Sequence, residues 1–147
     1  MSAENNRNFN ELKTETDKFK VHSGNELKKV LIIDDNETDI IAVKGMLEEN
    51  YEVVTADSGN VALKLFHNGL VPNLIMLDLI MPGMSGWETY ERIRKIGSVH
   101  NTAIVIYSGS TDPEDRTHAE KVGAVDYIKK PAAKDELLSK LGKIIGA

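Results

Sequence analysis

The sequence predicts an α/β domain with a doubly wound, five-stranded parallel sheet in the strand order 2-1-3-4-5 and with five helices. Two observations predict this fold. Short apolar runs alternate with helix-like segments from residue 29 onward, which is the pattern of repeated βαβ units. Several of these runs are apolar without a break, as expected for strands that are buried on both faces of a parallel sheet.

The strands divide into central and edge strands by composition. Three runs are apolar throughout and are predicted as the central strands 1, 3 and 4: residues 30–33, 74–77 and 103–107. Glu52 and Asp126 interrupt the runs at 51–56 and 125–128, so we expect these to be edge strands 2 and 5. Right-handed crossover connections are compatible with the order 2-1-3-4-5, which buries strands 1, 3 and 4.

Helices are predicted between the strands, at about residues 37–49, 59–68, 86–96, 113–122 and 133–145. Ser85 with Glu88 has the spacing of a capping box, and Asp112 followed by Pro113 is a typical N-cap and first helical residue. A glycine just past a helix can close its last turn in the left-handed conformation, and three glycines hold such positions: Gly69, Gly97 and Gly123.

The composition favours one folded domain with a polar extension. Residues 1 to about 28 are polar and of mixed charge, so we expect a tail or linker there and one domain over residues 29–147. The net charge of −5 and the lack of a basic stripe argue against direct binding of nucleic acid.

Two further classes of protein are disfavoured. The chain has no cysteine, which excludes disulfides, thiolate metal sites and cysteine nucleophiles. The N-terminus lacks a signal-peptide pattern and the aliphatic runs are too short to span a bilayer, so a cytoplasmic protein without membrane insertion is expected.

Acidic residues follow two neighbouring strands of the predicted sheet. Asp34 and Asp35 end strand 1, and Asp78 ends strand 3, on the two sides of the point where the winding of the sheet reverses. Carboxylates that converge there repel one another unless a cation neutralises them, and an all-oxygen site favours magnesium or manganese. Taken alone, Asp34 or Asp39 is more simply interpreted as a helix N-cap or loop residue.

A hydroxyl and an ammonium are predicted at the same edge of the sheet. Ser108 ends strand 4, and Lys130-Pro131 follows strand 5. Each group complements a phosphoryl group, because lysine is a compact positive charge and a serine hydroxyl can donate to a phosphoryl oxygen.

Together these residues resemble a known family, the response regulator receiver domain of two-component signalling, which has a flavodoxin-like fold. The resemblance covers residues 29–145. Its motifs appear in the expected order: Asp34-Asp35, the segment at 78–86, Ser108 and Lys130-Pro131.

The resemblance implies a role for each acidic residue. Asp78 would accept the phosphoryl group, and Asp35, Asp78 and the backbone carbonyl of Ile80 would ligate Mg²⁺. Asp34 would act through a bound water. In the family the residue at the Ile80 position flanks the path of the hydrolytic water, and a bulky aliphatic side chain there suggests restricted access.

The resemblance also implies how a phosphoryl group is sensed. Lys130 would pair with its oxygens, Ser108 would be the switch hydroxyl and Tyr127 the switch aromatic. The Lys130-Pro131 peptide bond would be cis, which proline permits.

The implied function is that of a signalling switch, which catalyses its own magnesium-dependent phosphorylation and dephosphorylation but is not an enzyme acting on other substrates. A sensor histidine kinase or phosphotransfer protein would supply the phosphoryl group. Because the chain stops about two residues after the last predicted helix, we expect its output to be binding of a downstream protein. A stand-alone regulator and a fragment of a hybrid kinase or longer regulator are both compatible with the sequence.

Three alternatives fit less well. A phosphatase of the haloacid dehalogenase type needs a carboxylate two residues after its nucleophile, whereas Asn36 and Ile80 hold those positions. A nucleotide-binding module of similar fold needs a glycine-rich phosphate loop after a strand, and the sequence has none. A scaffold that is not phosphorylated would lack an acidic residue or the lysine, and all are present.

Overall fold

The structure, a computed structural model, describes residues 27–146. The predicted tail at 1–28 therefore lies almost entirely outside the described residues. The described chain alternates strands and helices in the following order: β1 (Lys29–Ile33), α1 (Glu37–Leu47), β2 (Glu52–Ala56), α2 (Gly59–His67), β3 (Leu74–Leu77), α3 (Gly86–Ile93), β4 (Ala103–Ser108), α4 (Pro113–Val122), β5 (Asp126–Lys129) and α5 (Lys134–Ile145).

The strands form one parallel sheet in the order β2-β1-β3-β4-β5, which confirms the predicted fold and its two edge strands. The register pairs Ile33 of β1 with Leu77 of β3. The backbone N–H of Asp78 then donates to the carbonyl of Ile33 at 3.0 Å. Asp34 and Asp78 therefore leave the sheet side by side, at its carboxyl edge.

Alternate residues of the central strands face two separate hydrophobic cores. Val30 and Ile32 of β1 point to the core beneath α1 and α5, and Leu31 and Ile33 point to the core beneath α2, α3 and α4. Both faces of the sheet are thus covered by helices, as the unbroken apolar strands require. No helix among residues 27–146 is long and apolar enough to cross a membrane.

The predicted helix ends are confirmed at most positions and wrong at one. The side chains of Ser85 and Asp112 cap α3 and α4, and Gly123 closes α4 with a φ of 88°. Gly97 does not close α3, because that helix ends at Ile93. After it the N–H groups of Lys95 and Ile96 donate to carbonyls three residues back, at 3.1 and 3.0 Å, so the chain continues as turns. The guanidinium of Arg94 binds the carbonyls of residues 100 and 102 at 2.9 and 2.7 Å.

Helix α3 begins very close to the end of β3. A Cβ atom at Gly86 would clash with the carbonyl oxygen of Asp78 and the Cα of Leu79. The backbone N–H of Gly86 donates to the Leu79 carbonyl at 3.1 Å. The absence of a side chain at Gly86 thus lets the loop from β3 turn tightly into α3.

Candidate functional site

Two buried aspartates occupy the carboxyl edge of the sheet. Asp34 is 2% exposed and Asp78 is 6% exposed. One oxygen of Asp34 accepts a hydrogen bond from the backbone N–H of Asn36 at 2.9 Å, and one oxygen of Asp78 accepts a long one from the N–H of Ile80 at 3.4 Å. These local bonds orient the carboxylates but leave the remaining oxygens for other partners.

A third carboxylate completes an acidic cluster. One oxygen each from Asp34, Asp35 and Asp78 lie within 4.8 Å of one another, and Asp35 is on the solvent side. Hard oxygen donors of this number and charge suit a magnesium ion, which usually binds one or two carboxylates and keeps several waters. The residues present therefore fit Mg²⁺, as the sequence predicts.

The environment of Asp78 disfavours its charged form. Burial is the main cause and raises the pKa of Asp78, and the neighbouring charge of Asp34 raises it further. The positive charge of Lys130 and hydrogen bonds from Ile80 and Ser108 oppose this rise without cancelling it. A bound cation would remove the remaining electrostatic cost of keeping Asp78 ionised.

Lys130 extends its ammonium group into the same pocket. Its Nζ lies 2.6 Å from a carboxylate oxygen of Asp34, 2.7 Å from one of Asp39 and 3.6 Å from one of Asp78. Burial alone would lower the pKa of Lys130, but the bonds to Asp34 and Asp39 and the charge of Asp78 outweigh burial and raise it above its ordinary value. Lys130 is therefore a permanent positive charge at the site.

Asp39 is the site residue that the sequence interpretation missed. The N-cap of α1 is Asn36, whose side chain accepts from the N–H of Asp39 at 3.0 Å. The carboxylate of Asp39 is thereby free to bind Lys130 rather than to cap the helix. The available signal was its place in the first turn of a helix that begins at the acidic cluster.

Ser108 is completely buried at the end of β4. Its Oγ accepts a hydrogen bond from the backbone N–H of Ser110 at 3.2 Å, and its carbonyl accepts one from the N–H of Lys130 at 2.9 Å. The Lys130-Pro131 bond is cis, as predicted. The structure thus brings the predicted hydroxyl and the predicted ammonium to neighbouring strand ends.

Tyr127 and Ile80 take opposite positions relative to solvent. Tyr127 on β5 is 8% exposed, and the guanidinium of Arg116 lies over its ring, 4.7 Å from the ring centre. Ile80 is 64% exposed. The ring of Tyr127 is therefore already turned inward, whereas the side chain of Ile80 projects into solvent beside Asp78.

A polar network connects the loop after Ser108 to two helices. The hydroxyl of Ser110 and the indole N–H of Trp87 on α3 both donate to the carboxylate of Asp115 on α4, at 2.5 and 3.1 Å. The Trp87 ring also meets the ring of His118 edge to face, with centroids 4.5 Å apart. Neither Trp87 nor Asp115 is among the site residues that the sequence predicts.

Two curated proteins are similar to this chain over most of its length. A probable cyclic di-GMP phosphodiesterase of Vibrio cholerae is 33% identical over 104 residues, 71% of this chain and 23% of that protein. The probable transcriptional regulator ycf27 of Guillardia theta is 33% identical over 123 residues, 80% of this chain and 45% of that protein. The chain thus spans less than half the length of either curated relative.

A solved structure and a protein family are also similar to this chain. The crystal structure of the chemotaxis protein CheY4 of Vibrio cholerae superposes with a TM-score of 0.75 and 30% sequence identity, covering 81% of this chain and 99% of that chain. The response regulator receiver domain family matches residues 30–142. The chain therefore belongs to this family, whose members are signalling switches of two-component systems.

Proposed function

We propose that this receiver domain accepts a phosphoryl group on Asp78 from a sensor histidine kinase or a phosphotransfer protein, in a reaction that depends on Mg²⁺. One observation carries the proposal. The carboxylate of Asp78 lies beside two further carboxylates that can share a cation, and 3.6 Å from the ammonium of Lys130. A nucleophile, a metal site and a cationic partner for phosphoryl oxygens therefore meet at one point.

The metal would be held by the carboxylates of Asp35 and Asp78 and by the carbonyl of Ile80, with Asp34 acting through a water. Bound Mg²⁺ supplies charge neutralisation for the carboxylates and the incoming phosphoryl group. Manganese has similar ligand preferences and would be accepted by the same oxygens.

The chain's own residues carry out the transfer. A carboxylate oxygen of Asp78 forms a bond to phosphorus while the bond from phosphorus to the donor atom breaks, which leaves an acyl phosphate and the free donor. Lys130 pairs with a phosphoryl oxygen. Ser108 accepts a hydrogen bond from the backbone N–H of Ser110, and its own proton, which hydrogen-bonds Asp78 in this structure, can pass to another phosphoryl oxygen. Hydrolysis by water then returns the carboxylate and releases phosphate.

The signal would pass through the surface formed by α4, β5 and α5. Movement of Ser108 toward the phosphoryl group vacates space behind it, and the inward ring of Tyr127 can occupy that space. Since the ring is already buried in this structure, we propose that phosphorylation stabilises this inward position rather than creating it. The surface that a partner would contact includes Arg116, Lys121 and Lys134, which are exposed, and Leu138, which is half-buried.

The output is proposed to be binding of a downstream protein in the cytoplasm, without direct contact with nucleic acid and without membrane insertion. The acidic balance of the chain and the lack of a basic stripe support this. Residues 1–28 are proposed to be a tail or linker, and residues 29–147 to form the receiver domain.

Chemical phosphorylation tests the acceptor assignment. Incubation with acetyl phosphate and Mg²⁺ should add one phosphoryl group, seen by intact-mass spectrometry as an adduct that is stable to acid and labile to base. Asp78→Asn should remove the adduct, and Asp35→Ala should remove it through loss of the metal. Asp57→Asn is the matched control, because Asp57 is exposed and directly follows edge strand β2. Unchanged labelling of Asp78→Asn would contradict the assignment.

The switch requires a separate test. Beryllofluoride, a stable mimic of the phosphoryl group, should shift amide NMR signals of the wild type both at Asp78 and across residues 112–145. Ser108→Ala should still bind the mimic but show smaller shifts across 112–145. Shifts that stay confined to the Asp78 pocket in the wild type would contradict the coupling and leave the acceptor assignment intact.

A further inference from the structure

The ammonium of Lys130 lies closer to Asp34 and Asp39 than to Asp78. Its ammonium lies within hydrogen-bonding distance of Asp34 and Asp39, at 2.6 and 2.7 Å, whereas the nearest oxygen of Asp78 is 3.6 Å away. The ammonium is therefore bound on the α1 side of the pocket. Its interaction with Asp78 is therefore electrostatic, without a hydrogen bond.

Asp39 has a different relation to the pocket from the other carboxylates. The acidic cluster that fits a metal consists of Asp34, Asp35 and Asp78 and does not include Asp39. The backbone of Asp39 is held in the first turn of α1 by the Asn36 cap. The helix thus presents the Asp39 carboxylate to Lys130 from outside the cluster.

Asp34 and Asp39 differ in how much it would cost each to lose its ion pair with Lys130. The side chain of Asp34 is 4% exposed, and that of Asp39 is 38% exposed. A buried carboxylate that loses its cation cannot be resolvated, whereas a partly exposed one exchanges the cation for water at small cost. Asp39 is therefore the partner that Lys130 can release.

We propose that Asp39 is a positioning residue that holds Lys130 away from Asp78 before phosphorylation and is replaced by the phosphoryl group as its partner. This inference rests on the proposed phosphorylation of Asp78. A phosphoryl group brings about two negative charges, so it competes directly with Asp39 for the ammonium. Asp39 thus lowers the affinity of the pocket for the phosphoryl group.

Beryllofluoride binding in the presence of Mg²⁺ tests this competition. Asp39→Asn should bind beryllofluoride roughly two- to fivefold more tightly than the wild type, the range expected for a partly exposed ion pair. Asp39→Glu, which keeps the charge, should restore the affinity toward the wild-type value. The same variants should change the acetyl phosphate concentration that gives half the maximal phosphorylation rate more than the maximal rate itself.

Glu37→Gln separates a direct contact from a general charge effect. It removes one negative charge from the same turn of α1, and within residues 27–146 Glu37 forms no ion pair with Lys130. Its beryllofluoride affinity should equal that of the wild type. The ¹⁵N resonance of the Lys130 ammonium should shift in Asp39→Asn and stay unchanged in Glu37→Gln.

The possible results separate the two proposals. If the wild type binds beryllofluoride and Asp39→Asn binds it no more tightly than Glu37→Gln, the role of Asp39 is wrong and the phosphorylation of Asp78 stands. If the wild type neither binds beryllofluoride nor accepts a phosphoryl group, both proposals are wrong.

Discussion

Helices α4 and α5 flank strand β5 on opposite faces of the sheet and are attached to it by different means. Helix α5 buries Leu137 and Leu141 completely in the core that it shares with α1. Within the described part of the chain, α4 buries a single residue, Ala119, and the rest of its sequence is largely charged or polar. Apolar packing therefore holds α5, whereas α4 depends more on polar contacts.

This difference gives each helix a different expected role. A fully buried leucine contributes about 1.5–3 kcal/mol by removal from water, and an alanine contributes much less. Helix α4 is held in addition by the Asp112 cap and by the bonds of Asp115 to Ser110 and Trp87. These polar bonds begin two residues from Ser108, so we expect α4 to move more readily than α5 if the charge at the site changes.

The largest expected effect tests the apolar attachment. Leu141→Ala in α5 should lower the free energy of unfolding by about 2–5 kcal/mol, because it leaves a cavity in a core position. Ala119→Gly in α4 should cost only about 1 kcal/mol, mostly through helix propensity. Urea denaturation followed by circular dichroism measures both. Equal losses would show that α4 is packed as firmly as α5.

A hydrogen bond at the end of α5 should have an intermediate effect. The hydroxyl of Tyr51 donates to the carbonyl of Gly146 at 2.9 Å. Tyr51→Phe should therefore cost about 1 kcal/mol at neutral pH. Thermal denaturation of the variant and the wild type would measure the loss.

Because of this hydrogen bond, we expect the stability of the protein to depend on pH in the alkaline range. Burial raises the pKa of Tyr51 in the folded protein. In the folded protein the Tyr51 hydroxyl therefore keeps its proton at a pH where the unfolded chain releases it. The contribution of Tyr51 to the free energy of unfolding is complete below about pH 10 and is lost as the pH rises toward the pKa of Tyr51 in the folded protein. The stability difference between wild type and Tyr51→Phe should shrink over that range. A constant difference would contradict the assignment.

A smaller effect is expected for the polar attachment of α4. Ser110 and Trp87 donate to different oxygens of Asp115, so in Asp115→Asn one of the two donors faces an amide NH2 group that cannot accept. We expect a loss of about 0.5–1 kcal/mol. Hydrogen exchange of the α4 amides should become faster while exchange in α5 stays unchanged, and faster exchange in both helices would mean that Asp115 supports the whole domain.

The smallest effect should come from the outer faces, where the two helices are alike. Lys121 and Lys143 are exposed and lie in the last turns of α4 and α5. Replacing either by alanine should change the free energy of unfolding by less than about 0.5 kcal/mol. A larger loss at either position in chemical denaturation would reveal a contact beyond the apolar and polar attachments described above.

The sequence predicts the fold well where local signals and burial agree. The bounds of α4 follow from Asp112-Pro113 and Gly123, and β3 is apolar from end to end. The sequence pattern predicts too late an end for α3, because the bonds of the Arg94 side chain to the carbonyls of residues 100 and 102 belong to the tertiary fold and leave no local signal.

The same reason explains what was missed at the site. Asp34, Asp35, Asp78, Ser108 and Lys130 lie at strand ends, and the strand order alone brings strand ends together. Asp39 instead lies within a helix, and its partner is 91 residues away in the chain. The local sequence around Asp39 indicates a helix start and carries no information about Lys130.

The junction of α3 and α4 also has an optical consequence. The chain contains one tryptophan, and its indole lies at this junction, bonded to Asp115 and in contact with His118. All tryptophan emission of the unlabelled protein therefore originates at the contact between α3 and α4. Rapid-mixing fluorescence could follow that junction in real time, without a dye and without a partner protein.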